Sequence, residues 1–262
     1  MDSRLIVEKM IQKYDFKEYP EEYKKVLSEV LDISREIFLD NLVSITLGGS
    51  GGKNNIIEGW SDLDIYIVLN KYNIEQVRLL QEKLSNKKIH IGLTIYNLYE
   101  LENNLIDFKT KIMIYEKYNY NVNPTLYGYD YFKNVTYQEV YQNDMLNYPV
   151  VLQAFKRMYI EVLNKERKID KTYIKKMLVL MKCILSSHRI FAYGYNEVYQ
   201  IYSNIVYQVE NVTPFDKIFT DIETNTETIK IISKDIIEYT EKGNLFKLDK
   251  SNTKTRKLKK VM

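Results

Sequence analysis

The stretch Leu47-Gly48-Gly49-Ser50-Gly51-Gly52-Lys53-Asn54-Asn55-Ile56-Ile57-Glu58-Gly59-Trp60-Ser61-Asp62-Leu63-Asp64-Ile65 joins two apolar runs through a glycine turn and two alternating aspartates. Upstream, Val43-Ser44-Ile45-Thr46-Leu47 reads as a strand, and downstream Ile65-Tyr66-Ile67-Val68-Leu69 reads as a second. Positions i and i+2 of a strand face the same way, so Asp62 and Asp64 project together while Leu63 points to the other face. Two carboxylates on one half-buried face repel each other and are costly to desolvate unless a cation lies between them. Magnesium takes such oxygen ligands, usually together with substrate phosphates. Gly48, Gly49 and Ser50 would let backbone N–H groups and a hydroxyl come close to a phosphate. Phosphate cradle and metal ligands together point to nucleotide chemistry. The competing reading is a flexible glycine loop followed by the solvated face of an edge strand. Trp60 reads as a packing anchor for its loop, and Glu58 as a solvated charge.

With Gly49-Ser50 as the turn, a spacer of about ten residues and Asp62-Leu63-Asp64 opening the next strand, the segment resembles the nucleotidyltransferase superfamily of polymerase-beta-like fold. The form Gly59-Trp60-Ser61-Asp62-Leu63-Asp64 looks most like the bacterial antibiotic nucleotidyltransferases, and the resemblance spans roughly residues 40–96. It implies that Asp62 and Asp64 are catalytic metal ligands for Mg2+ and that Gly49 and Ser50 contact phosphate. Lys53, where many relatives carry arginine, would neutralise phosphate charge. A further nucleotide contact is expected from Arg189, because the segment Ser187-His188-Arg189-Ile190-Phe191 loosely resembles the corresponding helix of streptomycin-type enzymes.

The same resemblance exposes a gap. Family members commonly add a third carboxylate on the next strand. Here Lys88-Ile89-His90-Ile91-Gly92-Leu93-Thr94-Ile95-Tyr96 reads as that strand, with Ile89, Ile91, Leu93 and Ile95 on the buried face. The opposite face, His90, Gly92, Thr94 and Tyr96, holds no carboxylate, and Gly92 stands where streptomycin- and spectinomycin-type adenylyltransferases carry glutamate. Three readings follow. A carboxylate such as Glu100, Asp130, Glu139 or Glu161 reaches the cleft; the His90 imidazole takes the proton; or nucleotide is bound without turnover.

Outward from this centre, Val26, Leu27, Val30, Leu31, Ile33, Ile37 and Phe38 recur at helical spacing after Pro20. A helix is expected over 73–84, and 119–128, rich in Asn and Tyr and containing Pro124, reads as a connecting loop. Beyond about residue 145 helical patterns dominate, over 148–164, 172–193, 196–209 and 214–241, with Gly194 expected to cap the second of these. The expected architecture is α+β: an N-terminal nucleotidyltransferase-type α/β domain with a small mixed sheet (1–140), a C-terminal helical bundle that binds substrate (141–245), and a basic tail (246–262). At 262 residues the chain is long enough for two small domains.

The single cysteine, Cys183, excludes an intrachain disulfide framework and fits a reducing cytoplasm, and its apolar surroundings suggest an inert thiol. No apolar run is long enough to cross a bilayer, and no signal-peptide core is present at the N-terminus, so a cytoplasmic protein without membrane contact is expected. A net charge of +3 is too small to imply a nucleic-acid partner. The implied reaction is transfer of AMP from ATP to a hydroxyl of a small molecule such as an aminoglycoside-like antibiotic, by a monomer or homodimer. A protein or RNA acceptor, as in toxin–antitoxin pairs, and a non-catalytic nucleotide binder are the alternatives.

Overall fold

In a computed structural model, residues 2–14, 19–192, 194–207, 214–219 and 221–241 are described. The basic tail expected over 246–262 lies outside them. The chain divides into two compact units, Met1–Val140 and Tyr141–Met262. It is an α+β protein, with a four-stranded mixed sheet in the first unit and helices in the second.

The first unit runs α1 (Ser3–Lys13), α2 (Glu21–Phe38), β1 (Leu42–Gly48), a single helical turn α3 (Gly49–Gly52), β2 (Leu63–Leu69), α4 (Ile74–Leu84), β3 (Ile91–Asn97), α5 (Leu98–Glu102), α6 (Phe108–Tyr120) and β4 (Thr125–Gly128). Pro20 stands at the N-cap of α2, and Glu21 and Glu22 in its first turn complement the helix dipole. Asn73 caps α4 by accepting from the N–H groups of Glu75 and Gln76. The strand order is β3-β2-β1-β4, with β1 antiparallel to both β2 and β4, and β2 parallel to β3.

Period-two alternation divides the sheet's faces. Ile45, Leu47, Leu63, Ile65, Ile67 and Leu69 point to one side, where they form a core with Leu27, Val30 and Leu31 of α2 and Leu80 and Leu84 of α4. Each such fully buried side chain contributes about 1.5–3 kcal/mol. The other face is polar: Ser44 and Thr46 on β1, Asp64 and Tyr66 on β2, Gly92, Thr94 and Tyr96 on β3. α6 covers it. Thr110 of α6 shares a 2.9 Å hydrogen bond with the Tyr96 hydroxyl, and Lys117 donates to Thr125 Oγ1 at 2.6 Å.

Two expectations need correction here. The segment 119–128 is not wholly a loop, because Thr125–Gly128 pairs with β1 as an edge strand. Four residues are too few for alternation to show, and Pro124, before the strand, offers its carbonyl to Leu47 N–H at 3.0 Å. β3 begins at Ile91 rather than Lys88, and Tyr96 on its polar face is 7% exposed, buried under α6.

The helical elements that follow are α7 (Tyr137–Leu163), α8 (Lys171–Ser187), α9 (Tyr195–Tyr202) with a π-helical turn (Ser203–Tyr207), α10 (Phe215–Phe219) and α11 (Thr226–Glu241). α7 starts eleven residues earlier than Tyr148 and carries Pro149 inside it. A reciprocal cap drives that start: Thr136 Oγ1 accepts from Glu139 N–H, and Glu139 Oε2 accepts from Thr136 N–H at 2.8 Å. α8, capped by Asp170, stops at Ser187 rather than near Tyr193. Tyr173, Ile174, Met177, Leu178, Met181, Ile184 and Leu185 on α8 are buried, as are Phe155, Ile229 and Ile236. No helix among the described residues is long and apolar enough to cross a membrane.

Candidate active site

Backbone register places Gly48 of β1 opposite Asp64 of β2, and Asp64 opposite Gly92 of β3. Asp64 therefore stands on the middle of three neighbouring strands with glycine on either side. A Cβ added to Gly49 would lie 2.0 Å from Asp64 Oδ2, and one added to Gly92 would lie 3.1 Å from Oδ1. Gly49 also adopts φ +61°, a left-handed conformation that side chains resist. The carboxylate thus sits in a slot whose walls are bare backbone. Its side chain remains 33% exposed, so it is held in place without being sealed from solvent.

Asp62 lies just before β2, 23% exposed, with Oδ2 4.0 Å from His90 Nδ1. Between the two acids Leu63 turns into the core at 0% exposure, so the alternation expected from the sequence is present. Tyr23 of α2 donates to Ser61 O at 2.8 Å and steadies the approach to the acids. Two residues past Asp64, Tyr66 lies on the same face, where a Cβ on Gly48 would meet its ring at 2.4 Å. Burial, and after it the Asp64 carboxylate, push the Tyr66 phenol well above its ordinary range, so it remains a neutral floor beneath the site.

Ser50 occupies the second position of α3, half-buried. The turn is tied down by Asn55 N–H to Ser50 O at 2.9 Å and Asn123 N–H to Gly52 O at 2.8 Å. Lys53 follows, and its ammonium is 2.9 Å from Glu116 Oε1 of α6 with the two side chains 14% and 3% exposed. Its charge balances a buried carboxylate and fastens α3 to α6.

The four acids considered as a third carboxylate are each engaged locally. Glu100 accepts from Asn97 N–H in a capping box, Asp130 pairs with Lys117 at 3.2 Å, Glu139 caps α7, and Glu161 pairs with Arg167 at 3.4 Å. Among the described residues no group of three His, Cys, Asp or Glu side chains could enclose a metal ion. The donor set is therefore two neighbouring carboxylates. That set fits magnesium arriving with a triphosphate, since magnesium commonly takes one or two carboxylates and fills its remaining positions with water and phosphate oxygens.

Lys109 went unnoticed in the sequence. It lies in the first turn of α6 with its ammonium 3.8 Å from Asp64 Oδ1 and its side chain 68% exposed. A signal existed: Asp107 is an evident N-cap, and a lysine in the turn that follows opposes the helix dipole unless an anion faces it.

Arg189 belongs to the second unit. The end of α8 is a Schellman motif, with Arg189 N–H bonded to Ser186 O at 2.9 Å and Ile190 N–H bonded to Leu185 O at 3.0 Å. Arg189 itself takes the left-handed position, φ 61°, and its guanidinium lies 3.4 Å from the centre of the Tyr141 ring. Gly194, expected to end this helix, instead precedes α9 as its N-cap with φ 87°. His188 closes α8 and shares a 2.8 Å hydrogen bond with the Tyr239 hydroxyl; burial lowers its pKa.

No family model matches the sequence, and no curated protein matches it. Among solved structures, spectinomycin adenyltransferase AAD(9) from Enterococcus faecialis, crystallised with ATP and spectinomycin, is similar in fold. The TM-score is 0.51 at 16% identity, covering 81% of this chain and 98% of that one. Through most of its length the chain shares that structure's fold.

Proposed function

We propose that the chain is a metal-dependent nucleotidyltransferase that moves AMP from ATP to a hydroxyl of a small molecule, with an aminoglycoside-like or aminocyclitol-like antibiotic as the acceptor class. The observation that carries this reading is Asp64, held between Gly49 and Gly92 on a fold shared with an adenyltransferase. In the proposed reaction Gly49 and Ser50 receive phosphate oxygens and Asp62 and Asp64 provide the carboxylates for Mg2+. Bound there, the ion would supply positive charge against the charge developing on phosphorus. The acceptor oxygen forms a bond to the α-phosphorus. The bond to the bridging oxygen breaks, pyrophosphate leaves with that electron pair, and the hydroxyl proton passes to solvent. Most of the rate enhancement in such a reaction comes from position and charge. Substrate binding by the helical unit, and a triphosphate contact by Arg189, belong to the same proposal.

The test is pyrophosphate release from ATP with magnesium across a panel of aminoglycosides, aminocyclitols and lincosamides, with a no-acceptor control. Release should require one drug class. It should vanish in Asp64→Ala and in Asp62→Ala while far-UV circular dichroism is unchanged, and Arg189→Ala should weaken ATP binding. Unaltered turnover in Asp64→Ala would sink the assignment, and full ATP affinity in Arg189→Ala would remove that residue from it.

A second reading rests on Gly92, the glycine at the register position opposite Asp64. With no acid there, the same slot suits a protein that binds nucleotide without transferring it. ATP and metal binding with no pyrophosphate release from any acceptor would favour this reading.

A further inference from the structure

Lys109 and Gly92 approach the same oxygen of Asp64. Oδ1 is the atom 3.8 Å from the Lys109 ammonium, and Oδ1 is also the atom 3.1 Å from a Cβ placed on Gly92. Oδ2 faces the other way, toward Gly49. On its Oδ1 side the carboxylate faces the Gly92 backbone and the Lys109 ammonium. The start of α6 that delivers this cation is fixed to β3: Asp107 Oδ2 accepts from the Tyr96 hydroxyl at 2.7 Å, and Asp107 Oδ1 accepts from Thr110 N–H at 2.9 Å. The ammonium is beyond hydrogen-bond distance of the carboxylate and its side chain is mostly exposed, so it is stationed near Asp64 and not locked onto it.

We infer that Lys109 fills the electrostatic place of a second metal ion, so that the site takes one divalent cation with its nucleotide and Lys109 contacts the triphosphate directly. The inference rests on the nucleotide-binding reading of Asp62 and Asp64. A second divalent ion at Oδ1 would find one carboxylate oxygen and a positive charge within a few ångströms, which is unfavourable. A triphosphate oxygen arriving there would find the ammonium already positioned, a charge-assisted donor without the geometric demands of a metal.

The experiment uses the full chain, Mn2+ as a paramagnetic probe, and α,β-methylene-ATP, which cannot undergo transfer at the α-phosphorus. Binding of Mn2+ alone, binding of the analogue, and ions retained per bound analogue are measured for wild type, Lys109→Ala, Lys109→Arg and Asp64→Asn. The expected result is about one ion per analogue in wild type. In Lys109→Ala, analogue affinity falls about twofold to fivefold while affinity for Mn2+ alone rises by a similar factor, the range of a largely solvent-exposed charge contact. Lys109→Arg stays near wild type in both, because it keeps the charge. The opposite directions separate this role from a structural one, which would lower both affinities together. Two ions per analogue in wild type, or a Lys109→Ala protein in which the two affinities do not move oppositely, overturns the inference. If Asp64→Asn leaves Mn2+ and analogue binding untouched, the nucleotide site itself is misassigned. Loss of binding in Asp64→Asn beside an unchanged Lys109→Ala removes Lys109 alone.

Discussion

At the scale of single residues, the site depends on what is missing from the α-carbons of Gly49 and Gly92, and Gly59 supplies the control. Gly49 and Gly59 both adopt positive φ, 61° and 71°, so alanine at either carries a backbone cost of about 1–2 kcal/mol. Their surroundings differ. The Gly49 Cβ would strike Asp64 Oδ2 at 2.0 Å, whereas nothing lies within 4 Å of one at Gly59. Gly59→Ala therefore reports backbone strain alone, while Gly49→Ala adds displacement of the carboxylate. Urea denaturation should show both variants destabilised, with Gly49→Ala the worse of the two, and only Gly49→Ala should lose Mn2+ and ATP binding. Equal metal affinity in the two variants would mean that the Asp64 position does not set the site.

At the scale of elements, α3 is anchored from behind by the Lys53–Glu116 pair, with side chains 14% and 3% exposed. Glu116→Ala breaks this buried ion pair and should lower unfolding stability by about 3 kcal/mol. The double variant Lys53→Met/Glu116→Leu, which removes both charges, should recover most of that loss. A denaturant series giving additive losses would argue that the pair contributes no coupling. This pairing also marks where the sequence was silent. The glycine turn and the Asp-x-Asp strand were legible because period-two alternation and short-range spacing are local properties. That Lys53 turns to a glutamate 63 residues away is a tertiary fact with no local signature. β4 was missed because four edge residues after a proline carry no periodicity, although Lys117 and β1 hold them in the sheet. Two other misses were readable. Thr136-Tyr137-Gln138-Glu139 spells a capping box and starts α7 ahead of Pro149. The end of α8 drew attention to Gly194, because glycine favours the left-handed cap, yet Arg189 takes that position. The motif closes at Ile190, whose N–H bonds to Leu185 O, one residue after the left-handed Arg189.

At the scale of the whole molecule, 24 tyrosines and a buried thiol give the fold a predictable response to alkali. Burial pushes Tyr96, Tyr148 and Tyr173 up to about 12, and the Cys183 thiol up to about 12 as well. These side chains are no more than 7% exposed, so the shift reflects removal from water and not a screened surface contact. In the unfolded chain the phenols release protons near pH 10 and the thiol near 8.5. Between those values and 12 the unfolded state binds fewer protons than the folded state, so stability falls as pH rises. It is fully present below the ordinary pKa of each group and is lost on the way to the folded one. Each phenol removes about 1.4 kcal/mol per pH unit above 10, or about 4 kcal/mol per unit for the three together. A domain of ordinary stability, about 5–15 kcal/mol, has little margin against that slope. The buried tyrosines should therefore ionise only as the fold is lost. Between pH 10 and 12, tyrosinate absorbance should show an early component from the exposed rings and a late, steep component coincident with loss of circular dichroism. A single smooth titration centred near pH 10 with the far-UV signal intact would show that these rings reach solvent in the folded chain, and the packing of both units would have to be redrawn.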